Sequence, residues 1–168
     1  RQRQMCIRDR DGRVVPELLD VFRLVKDYDG VLGTAHVSPE ECKIVVEAAR
    51  NAGVKKLVVT HPEWWLVGMS VEDQVRLVKD YDVILERCYA QNLGGGKYKS
   101  NLPDNLEIIK TVGYKNVMVD TDGGQVENPH WELAMEEYMQ YLLDHGIPEE
   151  QVRYMTHDIP AGLLGIEN

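Results

Sequence analysis

The sequence predicts an α/β fold built from parallel strands. After residue 11, segments with helical spacing of apolar residues alternate with short apolar runs that are typical of strands. Residues 23–29 (RLVKDYD) recur letter for letter as residues 76–82, and each copy ends a predicted helix and leads into a predicted strand. The runs at residues 57–59 and 83–85 hold no polar residue, as expected of strands buried on both faces. Repeated units of this kind need crossover helices, and therefore parallel strands.

Capping and turn residues set the bounds of the individual elements. Ser38 and Ser70 each precede a helix as N-caps, and Gly53, Gly113 and Gly146 each follow one. Four strands are half of an eight-stranded barrel, so the predicted architecture is a TIM-barrel-like fold that forms an incomplete barrel. The predicted strands are residues 31–35, 56–60, 83–88 and 116–119; the predicted helices are residues 16–27, 38–52, 70–79, 103–112 and 130–144, with a further helix from 148 and a short turn at 160–164; and residues 91–101, with three consecutive glycines, are predicted to be a mobile loop.

Composition limits the class of protein. The chain has 168 residues, 43% of them hydrophobic and 28% charged, which is enough for one domain with a core. Its formal net charge of −9 argues against non-specific binding to nucleic acid or to anionic membrane. No apolar run approaches the roughly 18 residues of a membrane helix, and no signal peptide is visible. The three cysteines lack metal-type spacing, so we expect reduced thiols and a cytoplasmic protein.

The first ten residues do not match the rest of the chain. Residues 1–10 hold four arginines and show neither helical nor strand periodicity. They resemble translated sequencing-adapter read-through, and a native basic arm is the alternative. We expect residues 1–10 to be a non-native or disordered extension and residues 11–168 to form the folded domain. If the reading frame was truncated at that point, the true N-terminal part of the protein is missing.

Three strand-like runs end on residues that bind metals. His36 follows one run, His61 follows the next, and Asp122 follows the last. The carboxyl ends of parallel strands meet at one edge of a sheet, where ligands bind. The two imidazoles and the carboxylate are therefore predicted to hold a divalent metal, with Asp122 also taking a proton from the attacking water. The alternatives are structural histidines and an Asx turn made by Asp122 with the glycines after it.

For other residues near these strand ends, the sequence gives weaker evidence of a functional role. Asp120 lies on the same side as Asp122 if the strand continues that far. Glu86 is predicted to bind substrate or support the metal ligands, and pairing with Arg87 or a lysine is its alternative. Trp64 is predicted to wall a substrate pocket beside His61, with helix packing as the alternative. Cys88 is not assigned nucleophilic chemistry, because nothing in the sequence places a base beside it.

These motifs resemble a known family. GTAH (residues 33–36), VVTHP (58–62) and VDTD (119–122) are similar, in order and spacing, to the last strands of amidohydrolase-superfamily barrels. The resemblance covers about residues 14–166, and residues 148–166 resemble the closing helices of the family. Residues 11–168 would then be the C-terminal half of a (β/α)₈ domain.

The resemblance implies a role for each matched residue. His36 matches the metal histidine of the fifth strand, His61 that of the sixth, and Asp122 the aspartate of the eighth, which binds metal and acts as the base. Glu86 falls on the seventh strand, where the family has no fixed ligand. The first-strand His-x-His pair has no counterpart in this chain, and the fourth-strand bridging residue is unassigned.

The expected function is metal-dependent hydrolysis. The resemblance implies cleavage of a C–N, ester or phosphoester bond by metal-activated water, with one or two divalent ions, Zn²⁺ being the expected metal, and a small-molecule substrate. A fragment of the barrel is expected to be inactive alone. The first alternative is a non-catalytic half-barrel that serves as a binding or oligomerisation module, with its open edges covered by self-association. A second alternative is an open-sheet protein with an aspartate-centred Mg²⁺ site.

Overall fold

A computed structural model describes residues 12–166 and the backbone of residues 9 and 10. The expectation of an N-terminal extension concerns residues 1–10, of which 1–8 lie outside the described residues. The strands are Asp9–Arg10 (β1), Arg13–Val14 (β2), Val31–Gly33 (β3), Lys56–Val59 (β4), Ile84–Cys88 (β5), Ala90–Gly94 (β6), Lys97–Ser100 (β7) and Val117–Asp120 (β8). The helices are Pro16–Asp27 (α1), Pro39–Asn51 (α2), Val71–Tyr81 (α3), Leu102–Val112 (α4), Trp131–Asp144 (α5), Glu149–Arg153 (α6) and Ile159–Leu164 (α7), with a 3₁₀ turn at Tyr114–Asn116 and a π-helical turn at Tyr154–Asp158.

Four strands form the central sheet. Their order is β3-β4-β5-β8, and every neighbouring pair is parallel. The predicted α/β class with parallel strands is therefore confirmed, while the described residues form a four-stranded sheet and do not show a barrel. Parallel strands that follow one another in sequence order are, as a rule, joined by right-handed crossovers, which place successive helices on the same face of a sheet.

The two faces of the sheet differ in burial. Leu57 and Leu85 on one face pack into an apolar core with α1, α2 and α3. Val117 and Val119 continue that face into a second core with α4 and α5. On the opposite face, most side chains of β5 and β8 are only partly buried, among them Ile84, Glu86, Met118 and Asp120. Because neighbouring side chains alternate along a strand, the acidic residues of β5 and β8 lie away from the helices.

The predicted helix starts are confirmed. The hydroxyl of Ser38 accepts a hydrogen bond from the Glu41 amide at 3.2 Å, and that of Ser70 accepts one from the Asp73 amide at 3.1 Å. The repeated heptads also share the conformation of their last residue. Each ends on an aspartate with positive φ, Asp29 at 49° and Asp82 at 47°. In both copies the chain therefore leaves the helix through a left-handed aspartate two residues before the next strand begins.

The prediction of a mobile loop at residues 91–101 is wrong. Strands β6 and β7 pair antiparallel as a hairpin, in which Gly94 lies opposite Lys97. Gly95 and Gly96 form the two-residue connection and have φ of 63° and 76°. A two-residue hairpin turn favours positive φ at both positions, which glycine adopts without steric cost. The glycine run, which we interpreted as a source of mobility, is thus the turn itself.

No helix in the part of the chain that the structure describes is both long enough and apolar enough to cross a membrane.

Candidate metal centre

Four of the five site residues predicted from the sequence line a single pocket, and Glu86 contacts His61 without lining it. His36, His61, Trp64 and Asp122 all face it, although they follow three different strands. The ring centroids of His36 and His61 are 5.2 Å apart, and those of His36 and Trp64 are 4.5 Å apart with the rings inclined at 62°. The cavity has a volume of about 40 Å³, which is room for a few water molecules or a hydrated ion.

Strained backbone marks the point where the chain leaves each of these strands. Ala35, His61 and Asp122 have φ of 54°, 37° and 47°. Residues other than glycine rarely adopt positive φ, and such residues cluster at functional sites. The conformation turns the chain sharply after the strand, so that His61 and Asp122 reach the pocket instead of continuing along the sheet.

Two residues of β5 join His61 to form a compact group. Cys88 Sγ lies 2.8 Å from His61 Nδ1, and Glu86 Oε2 lies 3.3 Å from the same nitrogen. One ligand atom from each of the three residues lies within 4.8 Å of the other two. Glu86 and Cys88 are two residues apart, so strand alternation points both side chains to the same face.

Asp120 adds a second carboxylate to this group. It is the register partner of Cys88 across the parallel pair of β5 and β8, so the two side chains are neighbours on one face. Glu86 Oε2 and Asp120 Oδ1 are both buried and lack a donor with good hydrogen-bond geometry among the described residues, and the two carboxyl groups can hydrogen-bond each other when one of them is protonated. Buried charges without partners are costly, so a proton shared by the two carboxyl groups, or a cation bound beside them, would stabilise these oxygens.

The pKa values of the acidic groups in this cluster are raised, by burial first and then by the negative charges of their neighbours. Burial, and then the charge of Asp120, raises the pKa of Glu86 to about 8. Burial also raises the pKa of Asp120, and burial with the nearby carboxylates raises the pKa of the Cys88 thiol well above its ordinary value. Burial lowers the pKa of His61, so its imidazole stays neutral and can act as a ligand.

A buried ion pair supports the site from the helix-covered side of the sheet. Arg87 follows Glu86 on β5 and lies 3.2 Å from Glu63 Oε2, with both side chains at least 95% buried. Its guanidinium also donates to Gln74 and Asn105 at 2.9 Å each. The other oxygen of Glu63 accepts the backbone N–H of Cys88 at 3.1 Å. The pair therefore fixes the strand end that carries Cys88.

The β6–β7 hairpin is tied to the loops around the pocket. The indole of Trp65 donates to the Asn92 carbonyl oxygen at 3.1 Å, and the Asn92 amide donates to Glu127 at 3.0 Å. Gln91 accepts from the Trp65 backbone and donates to Asn101 at 2.6 Å. The base of the hairpin thus forms a fixed part of the pocket wall.

The structure brings the residues predicted from the sequence close together, and it places Cys88, Asp120 and Glu63 beside them. His36 and Asp122 line the pocket outside the compact group, so their predicted role as ligands stays a prediction. Cys88 has the neighbouring imidazole that the sequence did not place beside it. Asp120 and Glu63 were not assigned roles; the signal for Asp120 was its position at the end of an apolar run level with Asp122.

The donor set suits a borderline-soft divalent ion. Imidazole nitrogen, carboxylate oxygen and thiolate sulfur are the ligands of zinc sites, whereas Mg²⁺ and Ca²⁺ prefer oxygen alone. The charge of such an ion would also stabilise the buried carboxylate oxygens of Glu86 and Asp120 when both groups are ionised. His61, Glu86 and Cys88 therefore fit a zinc-type ion, with Asp120 beside them.

The family scan gives one match. The model of the family of unknown function DUF6282 matches residues 1–86, just over half of the chain, and this part includes His36, His61 and Glu86. Searches of curated proteins and of solved structures gave no match. The chain therefore belongs to the DUF6282 family.

Proposed function

We propose that this protein is a metal-dependent hydrolase whose ion is held by His61, Glu86 and Cys88. The observation that carries the proposal is the approach of three different ligand atoms to within 4.8 Å of one another, beside the buried carboxyl group of Asp120. A divalent cation would remove the repulsion among the acidic groups. It would also allow the Cys88 thiol to ionise despite its buried position.

The chemistry assigned to the pocket is the addition of water across a C–N or C–O bond. The ion, when bound, supplies Lewis acidity that polarises the scissile carbonyl and acidifies a water. The water oxygen bonds to the carbonyl carbon, and the bond from that carbon to the leaving nitrogen or oxygen breaks. Asp122, exposed at the mouth, accepts the proton from the water and passes it to the leaving group. Gln125 donates to Asp122 Oδ2 at 3.2 Å and orients the carboxylate.

The resemblance to amidohydrolase barrels supports this proposal. His36, His61 and Asp122 stand at the ends of parallel strands that follow one another in sequence order, as the resemblance requires. We further propose that the sheet is the C-terminal half of such a barrel. The helices pack on one face, and the face with the acidic residues would be the barrel interior. The proposed ligands Glu86 and Cys88 depart from the family pattern, which has no fixed ligand on that strand.

A second candidate is a thiol hydrolase, in which His61 is the base for Cys88. The 2.8 Å approach of Sγ to Nδ1 favours it. The charge environment opposes it, because burial and three nearby carboxylates raise the thiol pKa well above its ordinary value. A nucleophilic cysteine needs a lowered pKa, usually from positive charge around it. A bound metal ion would explain both the close approach of Cys88 to His61 and the carboxylates that surround the thiol.

Metal content and ester hydrolysis test the two candidates together. The purified protein would be stripped with a chelator, reloaded with Zn²⁺, and assayed for bound metal and for release of p-nitrophenol from p-nitrophenyl acetate. We expect one tightly bound ion per chain at least, and hydrolysis that depends on it. Glu86→Gln and Cys88→Ser should each lose the ion, whereas Cys42→Ser, a buried thiol in the helix-side core, should keep it.

The outcomes separate the alternatives. Wild-type protein that binds no more zinc than Cys88→Ser would contradict the metal site. Hydrolysis that survives chelation but is lost in Cys88→Ser would favour the thiol hydrolase. Zinc binding without hydrolysis of any ester or amide would favour the non-catalytic binding module that the sequence left open.

A further inference from the structure

A row of aromatic rings runs from the pocket to the surface beside it. The ring centroid of Trp64 lies 4.5 Å from that of His36, and the ring centroid of Trp65 lies 6.3 Å from that of Trp64. His36 and Trp64 line the pocket, whereas Trp65 does not line it and is 57% exposed. The aromatic wall of the pocket therefore continues outward onto an indole that solvent reaches.

Leu93 extends this apolar surface onto the β6–β7 hairpin. The indole of Trp65 donates to the carbonyl oxygen of Asn92, the residue before Leu93, and the Leu93 side chain is 51% exposed. The backbone N–H of Trp65 donates to Gln91 Oε1 at 2.9 Å, so two hydrogen bonds hold this tryptophan against the hairpin. We call Trp65 and Leu93 the apolar rim. A surface that is already fixed in place loses little entropy when a ligand binds to it.

The amide side chains of the pocket wall bind mainly to the protein itself. Three carboxamides beside the rim line the pocket, those of Gln91, Asn92 and Asn101. Each of them both donates and accepts a hydrogen bond within the chain. Much of their hydrogen-bonding capacity is therefore used, and the apolar rim is the surface that this side of the mouth offers to a substrate.

The size of the cavity and the proposed direction of proton transfer orient the substrate. A volume of about 40 Å³ holds an ion and a few waters, so most of the substrate must lie over the opening. In the proposed reaction Asp122 passes a proton to the leaving group, which must then lie on the side of Asp122. Asp122 follows one outer strand of the sheet and His36 follows the other. The acyl group would therefore extend toward His36 and the two tryptophans beside it.

We propose, on the basis of the hydrolase function above, that the substrate is an amide or ester with an apolar acyl group of several carbons, which packs on Trp65 and Leu93. Single exposed apolar residues are common on protein surfaces, but apolar surface that adjoins a pocket is typical of a ligand-binding site. Longer acyl chains, up to the extent of the rim, make better substrates because they cover more of it.

Three p-nitrophenyl esters test the inference, because acetate, butyrate and hexanoate share the leaving group and differ only in the acyl chain. A fully buried methylene is worth about fourfold in binding, and on an open rim we expect about half of that. With Zn²⁺-loaded protein, and after correction for spontaneous hydrolysis, kcat/KM should therefore rise by about tenfold or more from acetate to hexanoate.

Variants of the rim should change this dependence on chain length. Trp65→Gln should remove most of the rise, and Leu93→Gln should reduce it. Trp65→Phe should retain it, because an aromatic face remains. Leu24→Gln is the matched control for Leu93→Gln, since Leu24 is 58% exposed on α1 and does not line the pocket.

Binding of ketones distinguishes failure of this inference from failure of the hydrolase proposal. Acetone, 2-pentanone and 2-heptanone carry the same acyl chains as the three esters but have no bond that water can cleave. Their dissociation constants, measured by saturation-transfer NMR, do not require turnover. We expect 2-heptanone to bind the wild-type protein about tenfold more tightly than acetone, and Trp65→Gln to lose most of this difference.

Each result bears on one of the two proposals. Hydrolysis that is equally fast for the three esters, or a dependence on chain length that Trp65→Gln retains, would overturn the inference and leave the hydrolase standing. Ketone binding in the order of chain length without cleavage of any ester would support the apolar subsite and contradict hydrolysis. Ketone binding that is independent of chain length would overturn the inference whether or not cleavage occurs.

Discussion

Sγ of Cys88 and Nδ1 of His61 lie 2.8 Å apart, although 27 residues separate them in the sequence. The contact joins the end of β5 to the residue that follows β4. The carboxylate of Glu86 stands on the same side, 3.3 Å from the imidazole nitrogen. The chemistry proposed for this protein depends on this meeting of sulfur, nitrogen and oxygen, and four consequences can be measured.

Cobalt substitution should reveal the sulfur ligand directly. Co²⁺ occupies zinc-type sites, and a Co²⁺–thiolate bond absorbs in the near ultraviolet by charge transfer from sulfur to metal. We expect this absorption in the wild-type protein and its loss in Cys88→Ser. Cys42→Ser is the matched control, because Cys42 packs in the helix-side core and should not affect the band. A band that persists in Cys88→Ser would show that another thiol binds the metal.

The stability of the metal-free protein should depend on Glu86 between pH 5 and pH 8. The folded-state pKa of about 8 exceeds the ordinary value of 4.5, so folding favours the protonated carboxyl. Its contribution is fully present below about pH 4.5 and is lost as pH rises through 8. In chelator, Glu86→Gln should therefore gain stability relative to wild type as pH rises. Thermal unfolding across this range measures the difference.

Exposed Glu107 on α4 provides the control for this pH series. Glu107→Gln makes the same chemical change at a side chain that lies in solvent, so it controls for the substitution itself. Parallel curves for wild type and Glu86→Gln would contradict the raised pKa. Zinc should flatten the wild-type curve, since the ion stabilises the ionised carboxylate.

Removal of Arg87 should destabilise the fold strongly. Arg87→Met leaves Glu63 buried without its counter-ion, a change that typically costs about 3–5 kcal/mol. The guanidinium also donates to Asn105 Oδ1 and Gln74 Oε1, and both buried oxygens would lose that donor. Arg76→Met is the control, because Arg76 pairs with Glu72 on the exposed face of α3 and such pairs contribute about 0–1 kcal/mol. Urea unfolding distinguishes the two, and equal losses would argue against a structural ion pair.

Substitution by alanine should have different effects at the adjacent residues Gly123 and Gly124. A Cβ atom at Gly123 would stand 2.7 Å from Cβ and 2.9 Å from Cα of Trp131, so the start of α5 would have to shift. Overpacking of this kind typically costs about 1–3 kcal/mol, and here it would also displace neighbouring Asp122. At Gly124 nothing lies within 4 Å of the same atom.

Gly123→Ala should therefore lower both the unfolding midpoint and the rate of hydrolysis, while Gly124→Ala should leave both nearly unchanged. The comparison needs only thermal unfolding and the p-nitrophenyl acetate assay. Identical behaviour of the two variants would show that the loop after β8 adapts freely and does not hold Asp122 in place.

Much of the fold follows from local signals in the sequence. The N-caps at Ser38 and Ser70 and the repeated heptad act through contacts within one turn of helix, so they can be predicted without tertiary information. The hairpin at residues 90–100 was missed because a run of glycines is compatible both with mobility and with a tight turn. Pairing between its two strands decides which conformation is adopted.

Some residues of the candidate site can likewise be predicted from local sequence, whereas others depend on tertiary contacts. The sequence alone determined that His36, His61 and Asp122 stand where predicted strands end, because the apolar runs and the turn residues after them are local features. Only the tertiary structure decided that Cys88 and Glu86 meet His61, and that Asp120 lies level with Cys88. The register of parallel strands and the crossings of the helices between them set those distances. Such packing arises from contacts among residues far apart in the chain, so no local pattern specifies it.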